Sequence, residues 1–216
     1  MKTYVKNILL IFLVWSFATS LARADEAALY GPEAPPGSAF IRVFNAQVNL
    51  PVENAGVGGK VFGEIDPLSS SKYVFLPAGA YEVELSGAKQ PVQLEKDAFY
   101  TLVVLKGEEP KLVQDEAFDN RRKALLGLYN LTDADALDLK TSNGKTAVLE
   151  SVEKLGSKHR QVNAVKISLA AFNGSEKLAD AAPVNLERGK VFSLFACGSK
   201  AQPRLVWVES QVDSQI

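Results

Sequence analysis

One strand-rich pattern is written twice along this chain. Residues 39–45 (AFIRVFN) align with residues 124–130 (ALLGLYN). Farther on, Pro91-Val92-Gln93-Leu94 aligns with Pro183-Val184-Asn185-Leu186, Tyr100-Thr101-Leu102 with Phe192-Ser193-Leu194, and Leu112-Val113 with Leu205-Val206. The offset grows from 85 to 92 to 93 residues, so insertions fall between the aligned runs, where loops tolerate them. Two copies are too few for a solenoid. They predict an all-β protein of two tandem β-sandwich domains related by internal duplication, preceded by a cleaved signal peptide.

The runs have strand character. In 39–45, Phe40, Arg42 and Phe44 alternate to one side with Ile41 and Val43 to the other. Further β-rich runs at 72–76, 81–85, 91–94, 99–105 and 111–113 are separated by Gly56, Gly58, Gly59, Pro77-Ala78-Gly79 and Gly107. Asn143-Gly144, between residues 137–140 and 146–150, is the strongest hairpin signal, since both residues tolerate the positive φ of a type I′ turn. Asn173-Gly174 is a second hairpin signal. The charged stretch 117–123 shows no β pattern and reads as a linker. The boundaries predicted are a signal peptide at 1–24, an extended arm at 25–38, and domains at 39–116 and 124–216.

At the N-terminus, Lys2 and Lys6 precede an apolar run over 8–17, and Ala22-Arg23-Ala24 gives a small-x-small cleavage pattern. The run is shorter than the roughly 20 apolar residues of a membrane span. Cleavage after Ala24 removes Lys2, Lys6 and Arg23, leaving 24 − 3 = 21 basic against 25 acidic residues, net −4. A net-negative body argues against nucleic acid or anionic lipid as the main partner. Cys197 is the single cysteine, so no internal disulfide forms, and no cysteine lies near the cleavage site to carry a lipid. The expected location is the periplasm, with no membrane span after cleavage.

Candidate chemistry is sparse. His159, the only histidine, sits in the basic run Lys158-His159-Arg160, and no serine has a G-x-S-x-G context. Asp133, Asp135 and Asp138 begin like a calcium loop, but Leu137, Asp138 and Gly144 stand at positions where that loop needs a ligand, a glycine and an acid. Gly56-Val57-Gly58-Gly59-Lys60 lacks the rest of a phosphate loop and reads as a hairpin or a flexible loop. Ser69-Ser70-Ser71 reads as a polar turn. Cys197 reads as a small buried hydrophobe, and Arg121-Arg122-Lys123 with Lys158-His159-Arg160 as solvated basic loops. Asn130-Leu131-Thr132 and Asn173-Gly174-Ser175 match the glycosylation pattern. No catalytic, cofactor-binding or metal-binding residue is assigned, and no cofactor is expected.

Residues 28–35 (ALYGPEAP), followed by Phe40 to Ala46, strongly resemble the AlgF family, periplasmic proteins required for O-acetylation of bacterial alginate. The likeness continues through Phe75-Leu76-Pro77-Ala78-Gly79, Phe99-Tyr100-Thr101-Leu102, Gly144-Lys145-Thr146 and Val165-Lys166-Ile167, and ends near Val206-Trp207-Val208. What the resemblance implies is a non-enzymatic adaptor or scaffold that bridges the proteins of the acetylation machinery. The alternative is a carbohydrate-binding module that presents alginate to the acetyltransferase, which would make the polymer a partner and use the basic clusters. The net charge and the scarcity of clearly exposed aromatics count against that alternative.

Overall fold

The computed structural model describes residues 34–213, and no helix occurs among them. The expected signal peptide and most of the expected arm lie outside the described residues. Strands are numbered along the chain. In the first half, β1 (Ser38–Asn45) is central to one sheet, with β8 (Phe99–Val104) beside it and β9 (Lys111–Asp115) beyond. The short β4 (Ser69–Ser70) and β5 (Val74–Pro77) share its other side. A second sheet runs β3 (Lys60–Ile65), β2 (Val52–Val57), β6 (Gly79–Leu85), β7 (Ala88–Leu94).

The second half repeats this plan. One sheet runs β13 (Ser157–Val162), β10 (Ala124–Thr132), β18 (Val191–Ser199), β19 (Gln202–Glu209). The other runs β12 (Ala147–Glu153), β11 (Ala136–Thr141), β15 (Leu169–Asn173), β16 (Glu176–Asp180). The strand register bears out the duplication. β1 lies parallel to β8 with Phe40 opposite Phe99, and β10 lies parallel to β18 with Leu125 opposite Val191. Those pairs are related by the same offsets, 85 and 92, that align the sequences. The copies differ at one hairpin. β6 and β7 pair without a break from Gly79–Leu94 to Leu85–Ala88. Their counterpart is interrupted at Ser168, leaving β14 (Val165–Ile167) and β17 (Val184–Leu186) as a separate two-stranded piece.

Each half has its own core. Ile41, Val43 and Leu102 face Val83 and Leu94 in the first, and Leu126, Leu128 and Leu194 face Leu137, Leu139 and Leu169 in the second. Full burial of such a side chain contributes about 1.5–3 kcal/mol. A duplicated asparagine ties each core sheet to its neighbour. The Asn45 amide donates to the carbonyls of Leu50 (2.8 Å) and Ile65 (3.0 Å) and accepts from the Gln47 amide. Asn130 donates to Ala134 (2.9 Å) and Val152 (3.1 Å) and accepts from the Thr132 amide and hydroxyl. Both are fully buried, so Asn130 is a structural pin and not an accessible glycan acceptor.

The expected hairpins form, one with different turn chemistry. β15 and β16 meet at Asn173 and Glu176 around Gly174. Between β11 and β12 the connection is longer than a two-residue type I′ turn, and of its Asn143-Gly144 pair only Gly144 has positive φ. Asn143 works through its side chain, whose Oδ1 accepts from the Thr141 hydroxyl (2.7 Å) and the Lys145 amide (3.0 Å). The Gly56–Lys60 stretch is the β2–β3 hairpin, and Ser69-Ser70 is a short strand instead of a free turn.

Candidate functional site: a sealed polar junction

Strands β1 and β10 are buried on both faces. The faces turned away from the two cores meet each other. Phe44 and Val103 from the first half pack with Tyr129, Leu131, Phe195 and Cys197 from the second. Phe195 stacks on Phe44 at 3.7 Å between ring centroids and on Tyr129 at 4.3 Å. The segment 117–123 carries no strand, but the halves are joined chiefly by this buried contact, and residues Pro36–Asp213 form one compact unit.

At the centre of the contact lies Arg42, only 1% exposed. Its Nε donates to the Thr101 hydroxyl (2.8 Å), its Nη1 to Ser210 (3.1 Å), and its Nη2 to Ser193 (3.0 Å) and to Tyr129 at a longer 3.4 Å. Its guanidinium carbon sits 4.7 Å from the Tyr73 ring centroid and 5.5 Å from that of Phe195, within cation–π range. The counter-charge is Asp115, 9% exposed at the end of β9. Asp115 accepts from Thr101 and Tyr73, both at 2.7 Å, and from the Tyr129 hydroxyl. Two hydroxyls, Thr101 and Tyr129, therefore each accept from the cation and donate to the carboxylate. An isolated buried charge would be prohibitively costly, and this relay is how the pair is accommodated. Burial opposes the charge of Arg42, but the facing Tyr73, Tyr129 and Asp115 more than offset it and raise its pKa.

Gly127 occupies the position in β10 that Arg42 occupies in β1. The missing side chain makes room for His159, whose ring would lie 2.6 Å from a Cβ at 127. His159 thus lies in strand β13, not in a solvated basic loop, packed edge-on to Tyr129 with Nε2 3.3 Å from the phenol oxygen. Burial lowers its pKa against the opposing pull of Asp115 and Glu116, so the imidazole is neutral at pH 7. Burial, then the Asp115 charge, raises the pKa of Tyr129. The hydroxyl beside His159 therefore keeps its proton and donates it to Asp115, the reverse of what an activated nucleophile needs.

The chain's last described residues close the junction. After β19, the Ser210 amide donates to Val191, the Tyr73 amide to Gln211 (2.8 Å), and the Asp213 amide back to Tyr73 (2.7 Å). Val212 bridges to Tyr73 as a parallel partner. Under this strap is a cavity of about 170 Å³, walled by aromatic rings and reached by His159.

The other residues singled out by sequence lie elsewhere. Cys197 is buried at the junction, its thiol pushed up to about 12 by burial. Asp133 caps the Lys200 amide, while Asp138 accepts from the Ser151 amide and pairs with Lys140. No group of potential metal ligands occurs among the described residues. The first basic run lies beside the end of β13, where Asn120 bonds Gln161 and Lys123 bonds Asn163, whereas Lys158 and Arg160 of the second reach the Glu150 and Val148 carbonyls of β12. Sequence reasoning overlooked Arg42, Tyr73, Thr101, Asp115 and Tyr129 as a set. The available signal was an arginine between two phenylalanines on a strand whose repeat has glycine in its place.

Fold and site together define a class: a duplicated β-sandwich protein whose halves share one sealed, charge-bearing interface. The model of the family described as "Alginate O-acetyl transferase AlgF" matches residues 12–193. The alginate biosynthesis protein AlgF of Pseudomonas aeruginosa is 43% identical over 195 residues, 90% of this chain and 89% of the relative. AlgF of Azotobacter vinelandii is 43% identical over 194 residues, 90% of this chain and 88% of the relative. The solved C-terminal domain of P. aeruginosa AlgF is 42% identical over 41% of this chain and 98% of that domain, with a TM-score of 0.37. Its solved N-terminal domain is 35% identical over 39% of this chain and all of that domain, with a TM-score of 0.34. The chain belongs to the AlgF family.

Proposed function

We propose that this chain is a non-catalytic periplasmic adaptor in alginate O-acetylation, built from domains at 39–116 and 124–216, that bridges proteins of the acetylation machinery. Its relatives are named for alginate biosynthesis and the family for alginate O-acetyl transfer, which places it in that process. The observation that carries the non-catalytic part is the use of the histidine–hydroxyl contact. His159 is neutral and adjoins a phenol whose proton is committed to Asp115, and Asp115 is committed to Arg42 through Thr101. These groups hold the halves together and are not free to move protons for a substrate.

The test is a deletion strain complemented with His159→Gln. An adaptor restores polymer acetylation with that variant and co-purifies with the acetylation proteins. Acetyl-donor turnover by the purified chain that disappears in the variant would reject the reading.

A second reading, an alginate-binding module, would use the exposed Arg121 and Arg122 beside the end of the β13 edge. It requires that alginate oligomers shift the NMR signals of that edge, with affinity falling steeply as salt rises. Unchanged spectra would remove it.

A further inference from the structure

The cavity under the C-terminal strap plays no part in the adaptor reading, and its lining is specific. Four aromatic rings, those of Tyr73, Phe99, Phe118 and Tyr129, contribute to its wall. Two carboxylates, Asp115 and Glu116, line it as well. Arg42 is not on this lining; its charge is spent on the Tyr73 ring, on Ser210 and on the hydroxyls that lead to Asp115. His159 adds no positive charge, because burial keeps it neutral. Asp115 is balanced by Arg42, whereas Glu116 makes no ion pair among the described residues. Aromatic rings beside an unbalanced carboxylate are the chemistry that holds alkylated ammonium groups.

Size agrees with this. A dry cavity of roughly 150 Å³ takes a six-carbon ring, so about 170 Å³ suits one small organic cation. We infer that this junction cavity is a binding site for an alkylammonium group, held by Tyr73, Phe99, Phe118 and Tyr129 through their ring faces and by Glu116 through its charge. The group could come from a lysine side chain of a protein partner or from a free quaternary amine. An anion such as a uronate is disfavoured, since it would face two carboxylates.

The experiment is an NMR titration of the protein, following the His159 ring and the Val191 and Val212 methyls. The probes are choline, its neutral isostere 3,3-dimethylbutan-1-ol, butyrate, and Nα-acetyl-lysine methylamide. Saturable binding of choline or the lysine derivative, tighter than the neutral isostere and absent for butyrate, is expected. Glu116→Gln and Phe118→Ala, both outside the Arg42 network, should weaken it several-fold without changing the urea midpoint. Tighter binding of the lysine derivative assigns a protein partner, and tighter binding of choline a free amine. Equal binding of the alcohol and choline, or no saturable shift with either cation, overturns the site. Co-purification with acetylation proteins would be untouched by that failure, so the two readings stand or fall separately.

Discussion

Arg42 carries a full charge in a place where water does not reach, and four hydroxyl oxygens from both halves accept from it. Replacing it with methionine keeps most of the volume but strands Asp115 among donors that can no longer neutralise it. The loss expected is about 3–5 kcal/mol, the scale for breaking a buried pair, read as a lower urea midpoint at pH 7. Lysine should rescue little. It lacks the fork that reaches Thr101, Ser193 and Ser210 at once.

His159 supplies a second prediction at this scale, with a definite sign. Its folded pKa lies below the unfolded value of about 6.5, so the unfolded chain binds the proton more readily. Its contribution is fully present above that value and is lost as pH falls from there through the folded pKa. Urea midpoints should therefore drop between pH 7.5 and 5.5, and His159→Gln should flatten that slope. An identical slope in both proteins would show that other groups set it.

Among the elements, the duplicated asparagines carry the sharpest test. Asn45 and Asn130 each lie within a buried stretch of a central strand, and each satisfies two carbonyls of neighbouring segments. Alanine at either position leaves those carbonyls unpaired, at an expected cost of about 1–3 kcal/mol. Aspartate, with the same volume, should cost more, because its carboxylate would face two carbonyl oxygens. Denaturant melts of the four variants check both statements, and similar losses at 45 and 130 would show the pins to be equivalent. This pair was legible from sequence as an aligned asparagine, though its role was not. The repeat, the central strands and the Asn173-Gly174 hairpin were also legible, because alternation and glycine turns are local signals. Of β2 and β3 only the turn between them was legible, as a hairpin or a flexible loop, and β4 and β13 were missed. Val52–Val57 and Lys60–Ile65 mix glycine and charge with few apolar residues and give no alternation to read. The junction was hidden for a different reason. A strand buried on both faces shows no polar side, so Phe40, Arg42 and Phe44 look like the outer face of a single sandwich until the second half is set against it.

At the scale of the molecule, two cores and a shared third cluster imply one cooperative unfolding transition. Phe195 is the ring that both halves stack upon or approach. Phe195→Ala should cost about 3–5 kcal/mol, and the loss should register in the first half although the residue belongs to the second. Trp207 fluorescence, reporting on the second core, and hydrogen exchange of β2 and β6 should give coincident midpoints in wild type. Separate midpoints would mean that the halves melt independently.

Tyr73 receives its backbone partners from Gln211 and Asp213, so an early segment of the first half is sealed only by a segment that follows the last strand of the second. A chain cut after Glu209 would keep every named strand of both sandwiches but lose Ser210, one of the four hydroxyls around Arg42, and the backbone partners of Tyr73. A protease that probes open seams would cut such a chain sooner than the intact one.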